Sequence, residues 1–446
     1  MNVDVRHIVQ GMGYDSLTAM QSAMCRAGQS AGGVVLLSPT GSGKTLAFLL
    51  PLASRIDETS DRLQAVVIVP TRELAQQSEA VLRQMKLPVR SLCLYGGRPT
   101  MEEHRTLRAA CPQVVFATPG RLCDHLDKGN LDVRSVDVLV MDEFDKCLEL
   151  GFEQQMGYAV GHLKQAACLW LISATKAAAI PEFMRHTAAV RCATLDYLEQ
   201  AEAGTEGRLQ TFAVASPQKD KLATLEQLLL HLQGRAAIVF VAHRESVERV
   251  AQYLKGKRFA VQAYHGGMEQ EDRERGLYKF RCGAANVLVS TDLAARGLDI
   301  PEVRAVIHYH LPLKAEEYTH RNGRTARWQA EGAVYLITGP EEALPDFAAE
   351  AEPLQPAVGL HQAPVPAAYA PIYIGRGKRD KLSKADVLGF LCKKGGLQAA
   401  HIGRIDVGPH YAYAAVKRTQ LKQLLSRIAG EKIKGMKTRI EEMRFQ

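Results

Sequence analysis

Short, nearly unbroken apolar runs alternate with amphipathic stretches along the first three quarters of the chain. Gly33-Val34-Val35-Leu36-Leu37 is the first such run, and Leu46-Ala47-Phe48-Leu49-Leu50 opens a helix after a polar loop. Ala65-Val66-Val67-Ile68-Val69 leads into a helical stretch from Thr71 to Met85. Further runs follow at Val89 to Leu94, Val114-Val115-Phe116, Val136 to Val140 and Leu169-Trp170-Leu171-Ile172. Runs without polar interruption have no solvated face to present, so they predict strands buried on both sides. The intervening helices then cover the two faces of a parallel sheet.

The periodicity lapses at Gln200 to Arg208 (QAEAGTEGR), which predicts a hinge, and a second series of the same style follows. It comprises a helix from Leu222 to Leu232 and strands at Ala236 to Val241, Ala260 to Tyr264, Asn286 to Ser290 and Ala305 to Tyr309. From Pro340 to Pro371, seven prolines among alanines and acids predict an extended spacer, with at most a helical turn at Ala348 to Ala351. The remainder predicts strand Ile372 to Ile374, helix Lys384 to Lys394, strands Ile402 to Val407 and His410 to Val416, helix Thr419 to Ile428 and a last strand Thr438 to Ile440. That βαββαβ order belongs to ferredoxin-like or RNA-recognition sandwiches. The expected fold class is therefore α/β: two tandem parallel-sheet domains at 1–205 and 206–345, a Pro/Ala-rich linker at 346–370 and a small α+β domain at 371–446.

Each strand of the first series ends in a polar cluster. Pro70-Thr71-Arg72-Glu73 follows one, Gly96-Gly97 another, Thr118-Pro119-Gly120-Arg121 a third, Asp142-Glu143-Phe144-Asp145 a fourth and Ser173-Ala174-Thr175 a fifth. Ligands of open α/β sheets gather at the carboxyl ends of strands, so these clusters are expected on one rim. The first strand leads to Ser38-Pro39-Thr40-Gly41-Ser42-Gly43-Lys44-Thr45, a phosphate-binding loop in its required strand-to-helix setting. Its glycines let backbone N–H groups turn inward around a polyphosphate, Lys44 reaches the outer phosphates, and the Thr45 hydroxyl can join a Mg²⁺ shell. Asp142 and Glu143 offer one carboxylate to anchor Mg²⁺ through water and one to orient an attacking water. Gln21, just ahead of the loop, presents a donor and an acceptor suited to an adenine edge, though taken alone it reads as an ordinary polar helix residue. Arg324 and Arg327 lie three apart, on one face of any helix that holds them. They are surface charge or, set against a triphosphate, neutralise charge in phosphoryl transfer. The second series carries no phosphate loop.

Charge sharpens the picture of the tail. The chain has 446 residues and a net charge of +8, but residues 371–446 hold 17 Lys/Arg against 6 Asp/Glu, or +11, which leaves −3 for the rest. A basic module on a near-neutral body is an electrostatic footprint for nucleic acid. Tyr411 and Tyr413 share one strand face, a placement that serves base stacking or inward packing alike. Nine scattered cysteines without C-x-x-C spacing argue against a disulfide framework or a zinc site. No apolar run approaches membrane-spanning length and Met1 to Gln10 lacks a secretion-signal pattern, so no membrane association and a cytoplasmic location are expected.

With those residues laid out, the chain resembles the DEAD-box RNA helicases from Met1 to about Pro345, and its tail resembles the RNA-binding domain of the DbpA-type helicases. The helicase clusters occur in the family's order: Gln21, SPTGSGKT, PTRELA, Gly96-Gly97, TPGR, DEFD, SAT, the HGG stretch at His265, TDLAARGLD and HRNGRTAR. The tail likeness rests on Lys378 to Leu382, Ala385 to Gly389, Gly395 to Leu397, Ile402 to Ile405 and Lys432 to Gly435. The resemblance implies two RecA-like lobes, an RRM-like tail, and RNA-stimulated hydrolysis of ATP with Mg²⁺. Gln21 would read adenine. Thr40, Gly41, Ser42, Gly43, Lys44 and Thr45 would hold phosphates and metal, Asp142 and Glu143 would serve Mg²⁺ and water, and Asp299 would touch ribose. Arg324 and Arg327 would act as arginine fingers. Ser173, Thr175, Asp145 and His320 would couple the lobes. Pro70, Thr71, Arg72, Gly97, Thr118, Gly120, Arg121, Arg244 and Thr291 would line an RNA track by sugar and phosphate contacts, which carry no sequence preference. The tail implies structured large-subunit ribosomal RNA as partner, ribosome assembly as setting and a monomer as the working form.

Two departures from the family pattern stand out. Phe144 replaces the usual alanine of the acidic motif and would pack against the site or shift Asp145 from it. The aromatic expected near Val3 to Val5 is missing, which would leave one adenine face unstacked. They motivate a rival reading, an ATP-gated RNA clamp with weak or no hydrolysis. A DNA-directed motor is disfavoured by the RNA-domain-like tail.

Overall fold

A computed structural model of the chain describes residues 4–30, 32–39, 41–97, 100–163, 166–175, 192–198, 209–292, 303–325, 332–357 and 362–443. The hinge expected at Gln200 to Arg208 falls outside them. The described residues divide into two units, one ending near residue 206 and the other running from 207 onward.

In the first unit the apolar runs become β1 (Gly33–Leu37), β2 (Ala65–Ile68), β3 (Ser91–Leu94), β4 (Val114–Ala117), β5 (Val138–Asp142) and β6 (Cys168–Ser173), joined by an unforeseen β7 (Cys192–Asp196). They form one sheet in the order β3-β4-β2-β5-β6-β1-β7, with parallel pairing throughout. Alternate side chains go to opposite faces. Val34 and Leu36 face a core that includes Phe48, Leu49 and Trp170, whereas Val35 and Leu37 face one that includes Leu122, Phe144 and Met156. Because every strand points the same way, all their polar carboxyl-end clusters emerge on one rim.

Close helix packing backs the sheet at one point. Helix Ala19–Ser30 approaches helix Lys44–Arg55 where Gly28 meets Pro51. A Cβ at Gly28 would lie 2.8 Å from Pro51 Cβ and 3.1 Å from Trp170 Cζ2. Gly28→Ala should gain up to about 1 kcal/mol of helix propensity yet lose about 1–3 kcal/mol to overpacking. Urea unfolding followed by tryptophan fluorescence should show the midpoint falling. A midpoint at or above the parent's would mean that the helices separate freely.

The second unit begins with another parallel sheet. Its strands are β8 (Leu209–Ala215), β9 (Ala237–Val241), β10 (Val261–Tyr264), β11 (Val287–Thr291), β12 (Ala305–His308), β13 (Gly332–Thr338) and the two-residue β14 (Glu352–Pro353), in the order β10-β11-β9-β12-β13-β8-β14. Strands β8, β13 and β14 were not foreseen. β14 pairs with β8 in parallel, and Leu354 N–H donates to Ala213 O at 2.8 Å.

The stretch read as a spacer is thus held along this lobe. After a 3₁₀ turn at Asp346–Ala348 and the β14 pairing, Gln362 Nε2 donates to Leu230 O (2.7 Å) and Asn286 Nδ2 to Val365 O (3.1 Å). Gly234, at φ +76°, lies so near Val365 that a Cβ there would meet Val365 Cβ at 2.7 Å.

The tail follows its expected βαββαβ order with an added hairpin. β15 (Tyr369–Ile374), β16 (Ile402–Val407), β17 (Ala412–Lys417) and β20 (Ile440–Glu442) pair antiparallel in the order β16-β17-β15-β20, and β18 (Lys432–Ile433) pairs with β19 (Met436–Lys437). Helices Lys384–Lys393 and Leu421–Arg427 cover one face around Ile372, Leu391, Ala414 and Leu424. Ser383 starts the first helix with a capping box: its Oγ accepts from Asp386 N–H, and Asp386 Oδ2 accepts from Ser383 N–H. The opposite face carries Tyr369, Tyr373, Tyr411 and Tyr413. Tyr413 is only 3% exposed and its ring lies 5.0 Å from that of Tyr278 in the preceding lobe. Of the two placements open to Tyr413, inward packing is the one adopted.

Candidate nucleotide and RNA site

The phosphate loop takes its shape from left-handed glycines. Gly41 and Gly43 have φ of +84° and +89°, a region costly for any residue with a Cβ. Gly43 caps helix Lys44–Arg55, and a Cβ on it would lie 2.7 Å from Gln21 Nε2. Gln21, 22 residues earlier, donates from Nε2 to Gly43 O at 3.4 Å, while its Oε1 accepts from Thr18 N–H at 3.0 Å. The amide is thereby pinned against the loop. Lys44 is 8% exposed and donates from Nζ to Ser38 O (2.6 Å) and Pro39 O (2.8 Å). The Ser42 hydroxyl donates to Pro39 O at 2.8 Å and lies 2.8 Å from Ser38 Oγ. Thr45 is half-buried on the first turn of the helix. Thr40 lies outside the described residues.

β5 delivers the acids. Asp142 is 2% exposed, and its Oδ1 accepts the Glu143 N–H at 3.0 Å. Burial first, then the adjacent Glu143 charge, pushes the Asp142 carboxyl up to about 7 against the pull of Lys44. A divalent cation would favour the ionised form, so the donor set fits a hard metal ion bound through oxygen and water. Glu143 itself sits at φ +49°, an uncommon conformation for a glutamate. Phe144 is 1% exposed and packs into the core with Leu37, Met141 and Cys147. Its ring does not displace Asp145, whose Oδ2 accepts the Thr175 hydroxyl at 2.6 Å. Ser173 Oγ donates to Thr175 O at 2.6 Å, and Ser38 N–H donates to Ser173 O at 3.0 Å, so three motifs interlock on one rim. Asp145 Oδ1 is buried without a donor among the described residues.

The rest of the rim divides by what each side chain is already doing. Thr71 caps helix Arg72–Gln84, accepting from Leu74 N–H at 3.2 Å, with the buried Pro70 before it. The Arg72 guanidinium lies against Gly97, where a Cβ would come within 2.6 Å of Nη1 and where φ is +93°. Thr118 precedes helix Pro119–Asp127 without capping it through its side chain. Gly120 opens onto free space. Arg121, expected along the track, has a side chain that is 9% exposed, and its Nε donates to Glu103 Oε2 at 2.7 Å, where His125 Nε2 also lies at 3.1 Å. That guanidinium braces the lobe.

In the second unit Arg244 starts helix Arg244–Gly256 with an exposed side chain paired to Glu245. His265 accepts Gly267 N–H at Nδ1 (3.2 Å), which leaves Nε2–H to donate to Glu248 at 2.7 Å. Thr291 ends β11. His320 and Arg324 are both buried, the first on helix Ala315–Asn322 and the second in the turn that follows. Arg327 and Asp299 lie outside the described residues.

Sequence reasoning missed the neighbour of these residues, Arg321. It is 3% exposed and grips Asp292 through Nε and Nη2, both at 2.6 Å, while Nη1 donates to His310 O (2.8 Å) and His308 Nδ1 (3.2 Å). His308 hands the network on to Asn322 Oδ1 at 2.9 Å. Burial, then the Arg321 charge, pushes His308 down to about 3, so the ring stays neutral and accepts at Nδ1. The only signal available beforehand was the arginine's place inside HRNGR.

Three family descriptions match the chain: DEAD/DEAH box helicase over residues 18–183, helicase conserved C-terminal domain over 220–329, and DbpA RNA binding domain over 371–442. The chain is 35% identical to the ATP-dependent RNA helicase DbpA of Escherichia coli K12 over 442 residues, covering 96% of this chain and 95% of that protein. It is 26% identical to the Bacillus subtilis DbpA over 470 residues, covering 98% and 97%. Among solved structures, DEAD-box helicase Mss116 bound to single-stranded RNA and UDP-BeF matches with a TM-score of 0.69, 26% identity and coverage of 80% and 79%. The S. cerevisiae Dbp5 bound to RNA and ADP BeF3 matches with a TM-score of 0.67, 25% identity and coverage of 75% and 87%. No helix among the described residues is long and apolar enough to cross a membrane. Full-length similarity to a DbpA helicase, together with a phosphate loop and acidic rim on one RecA-like lobe, a second such lobe and a basic RNA-binding tail, places this chain in the family of DEAD-box ATP-dependent RNA helicases, on its DbpA branch.

Proposed function

We propose that the enzyme couples RNA-stimulated ATP hydrolysis to local unwinding or remodelling of large-subunit ribosomal RNA during ribosome assembly, as a cytoplasmic monomer. The reading is carried by a basic domain of the DbpA RNA-binding type following two helicase lobes on one chain. Backbone N–H groups around Gly41, Ser42 and Gly43 cradle the phosphates, and Lys44 trades its loop carbonyls for phosphate oxygens. Thr40 belongs to the same loop, Gln21 reads adenine, and Asp299 reaches the ribose. Mg²⁺ held by Thr45 and, through water, by Asp142 would neutralise charge on the phosphates. Glu143 orients and deprotonates the attacking water, and Arg324 and Arg327 stabilise the charge of transfer. Ser173, Thr175, Asp145 and His320 couple the lobes. Pro70, Thr71, Arg72, Gly97, Thr118, Gly120, Arg121, Arg244 and Thr291 line the RNA track, which leaves target choice to the tail.

Two measurements test the reading. Phosphate release should rise when RNA is added, and RNA crosslinked to the protein should be enriched in one structured region of large-subunit ribosomal RNA. Enrichment spread evenly over cellular RNA would remove the ribosomal assignment. Little or no phosphate release even with RNA present would favour the clamp instead.

A further inference from the structure

Helix Gln270–Arg281 of the second lobe follows the His265-Gly266-Gly267 loop at one end and meets the tail along its side. Its N-cap, Glu269, follows His265-Gly266-Gly267-Met268, and Arg273 lies over the Tyr264 ring at 5.2 Å. Glu274, Tyr278 and Cys282, spaced by four, line one side of the helix and its end. Glu274 Oε2 accepts the Tyr411 hydroxyl at 2.6 Å, and the Tyr278 hydroxyl donates to Arg404 O at 2.6 Å. Tyr278, Cys282 and Ala284 form one apolar cluster with Tyr413, Ala415 and Met443 of the tail. Tyr411 stacks on Tyr413 at 4.5 Å, so the aromatic face of the tail's sheet is engaged along this helix. The Gln362 and Asn286 hydrogen bonds tie the connecting segment to the same lobe.

We propose that the tyrosine face of the tail's sheet is a mount on helix Gln270–Arg281, not a base-stacking platform, so that RNA gripped elsewhere on the tail reaches the helicase lobes from one fixed position. The proposal rests on the reading of the tail as an RNA-binding domain. A mounted tail raises the effective concentration of RNA flanking its target at the lobes, whereas a loosely tethered one spreads it over many positions.

The test compares the full chain with Tyr278→Ala and Tyr278→Phe, using deproteinised large-subunit ribosomal RNA and polyuridylate as probes. Tyr278→Ala should bind ribosomal RNA within about twofold of the parent and turn over ATP on polyuridylate as the parent does. Its turnover on saturating ribosomal RNA should fall by about tenfold or more. Tyr278→Phe, which keeps the ring, should recover most of that loss. Unchanged turnover of Tyr278→Ala on ribosomal RNA overturns the mount, as does a tenfold change in ribosomal RNA affinity, a rise putting RNA on the uncovered tyrosine face and a loss putting it on Tyr278 itself. Maleimide alkylation of Cys282, mapped by peptide mass, judges the mount without RNA. This thiol is 7% exposed beneath the contact, and its labelling should rise about tenfold or more once the contact opens. Equal labelling in parent and variant also overturns the proposal, and Glu274→Ala provides the same readout if Tyr278→Ala does not fold. A parent that fails to distinguish ribosomal RNA from polyuridylate refutes the RNA assignment of the tail, while alkylation still decides the mount.

Discussion

Lys44→Ala is expected to lower ATP turnover by about a hundredfold or more while leaving the affinity of the tail for RNA within experimental error. The ammonium group is the only charge that the loop itself contributes. It is held within reach of both the loop and the acids, donating to Ser38 O and Pro39 O and lowering the Asp142 carboxyl against burial. Its removal deletes the positive charge that meets the outer phosphates and takes the ammonium donor from Ser38 O, while Pro39 O keeps the Ser42 hydroxyl. Phosphate release under saturating RNA, read beside RNA binding by the same preparation, checks both halves. A variant that hydrolyses ATP at the parental rate would sink the assignment of the site.

Glu143→Gln should separate binding from chemistry. The amide fills the same space but cannot take a proton from water, so turnover should drop by about 10²- to 10⁴-fold while nucleotide affinity holds within a fewfold. If closure over RNA depends on intact ATP, the variant should also retain RNA longer in the presence of ATP than the parent does. Turnover within threefold of the parent would assign water activation to another group. Because Glu143 sits at φ +49°, Glu143→Gly is a poor substitute: it relaxes the backbone as well as removing the carboxylate.

The rim that gathers the candidate site was legible because its parts are local. A phosphate loop is one contiguous stretch, and strands apolar on both faces announce both the parallel sheet and the edge on which their polar ends collect. β8 and β13 were harder to read, since LQTFAVA and GAVYLIT mix polar and apolar positions, and β14 spans only two residues. Partners distant in sequence were hidden altogether. Nothing local tells that Arg321 will grip Asp292, 29 residues earlier, or that Arg121 will turn inward to Glu103. The period of two put Tyr411 and Tyr413 on one face without saying what that face would meet. Phe144 illustrates the converse: a departure from the family pattern is absorbed by the core while the Asp145–Thr175 contact stays at 2.6 Å.

The two-residue β14 has a consequence for self-association. A parallel sheet ending on β8 would offer a row of unsatisfied backbone groups to any passing strand, the usual template for edge-to-edge aggregation. Here Glu352 and Pro353 pair with that row at Phe212 and Ala213, and the outermost position combines a charged side chain with a residue that has no N–H to give. The segment that carries the tail therefore also blunts the middle of this border against a further strand.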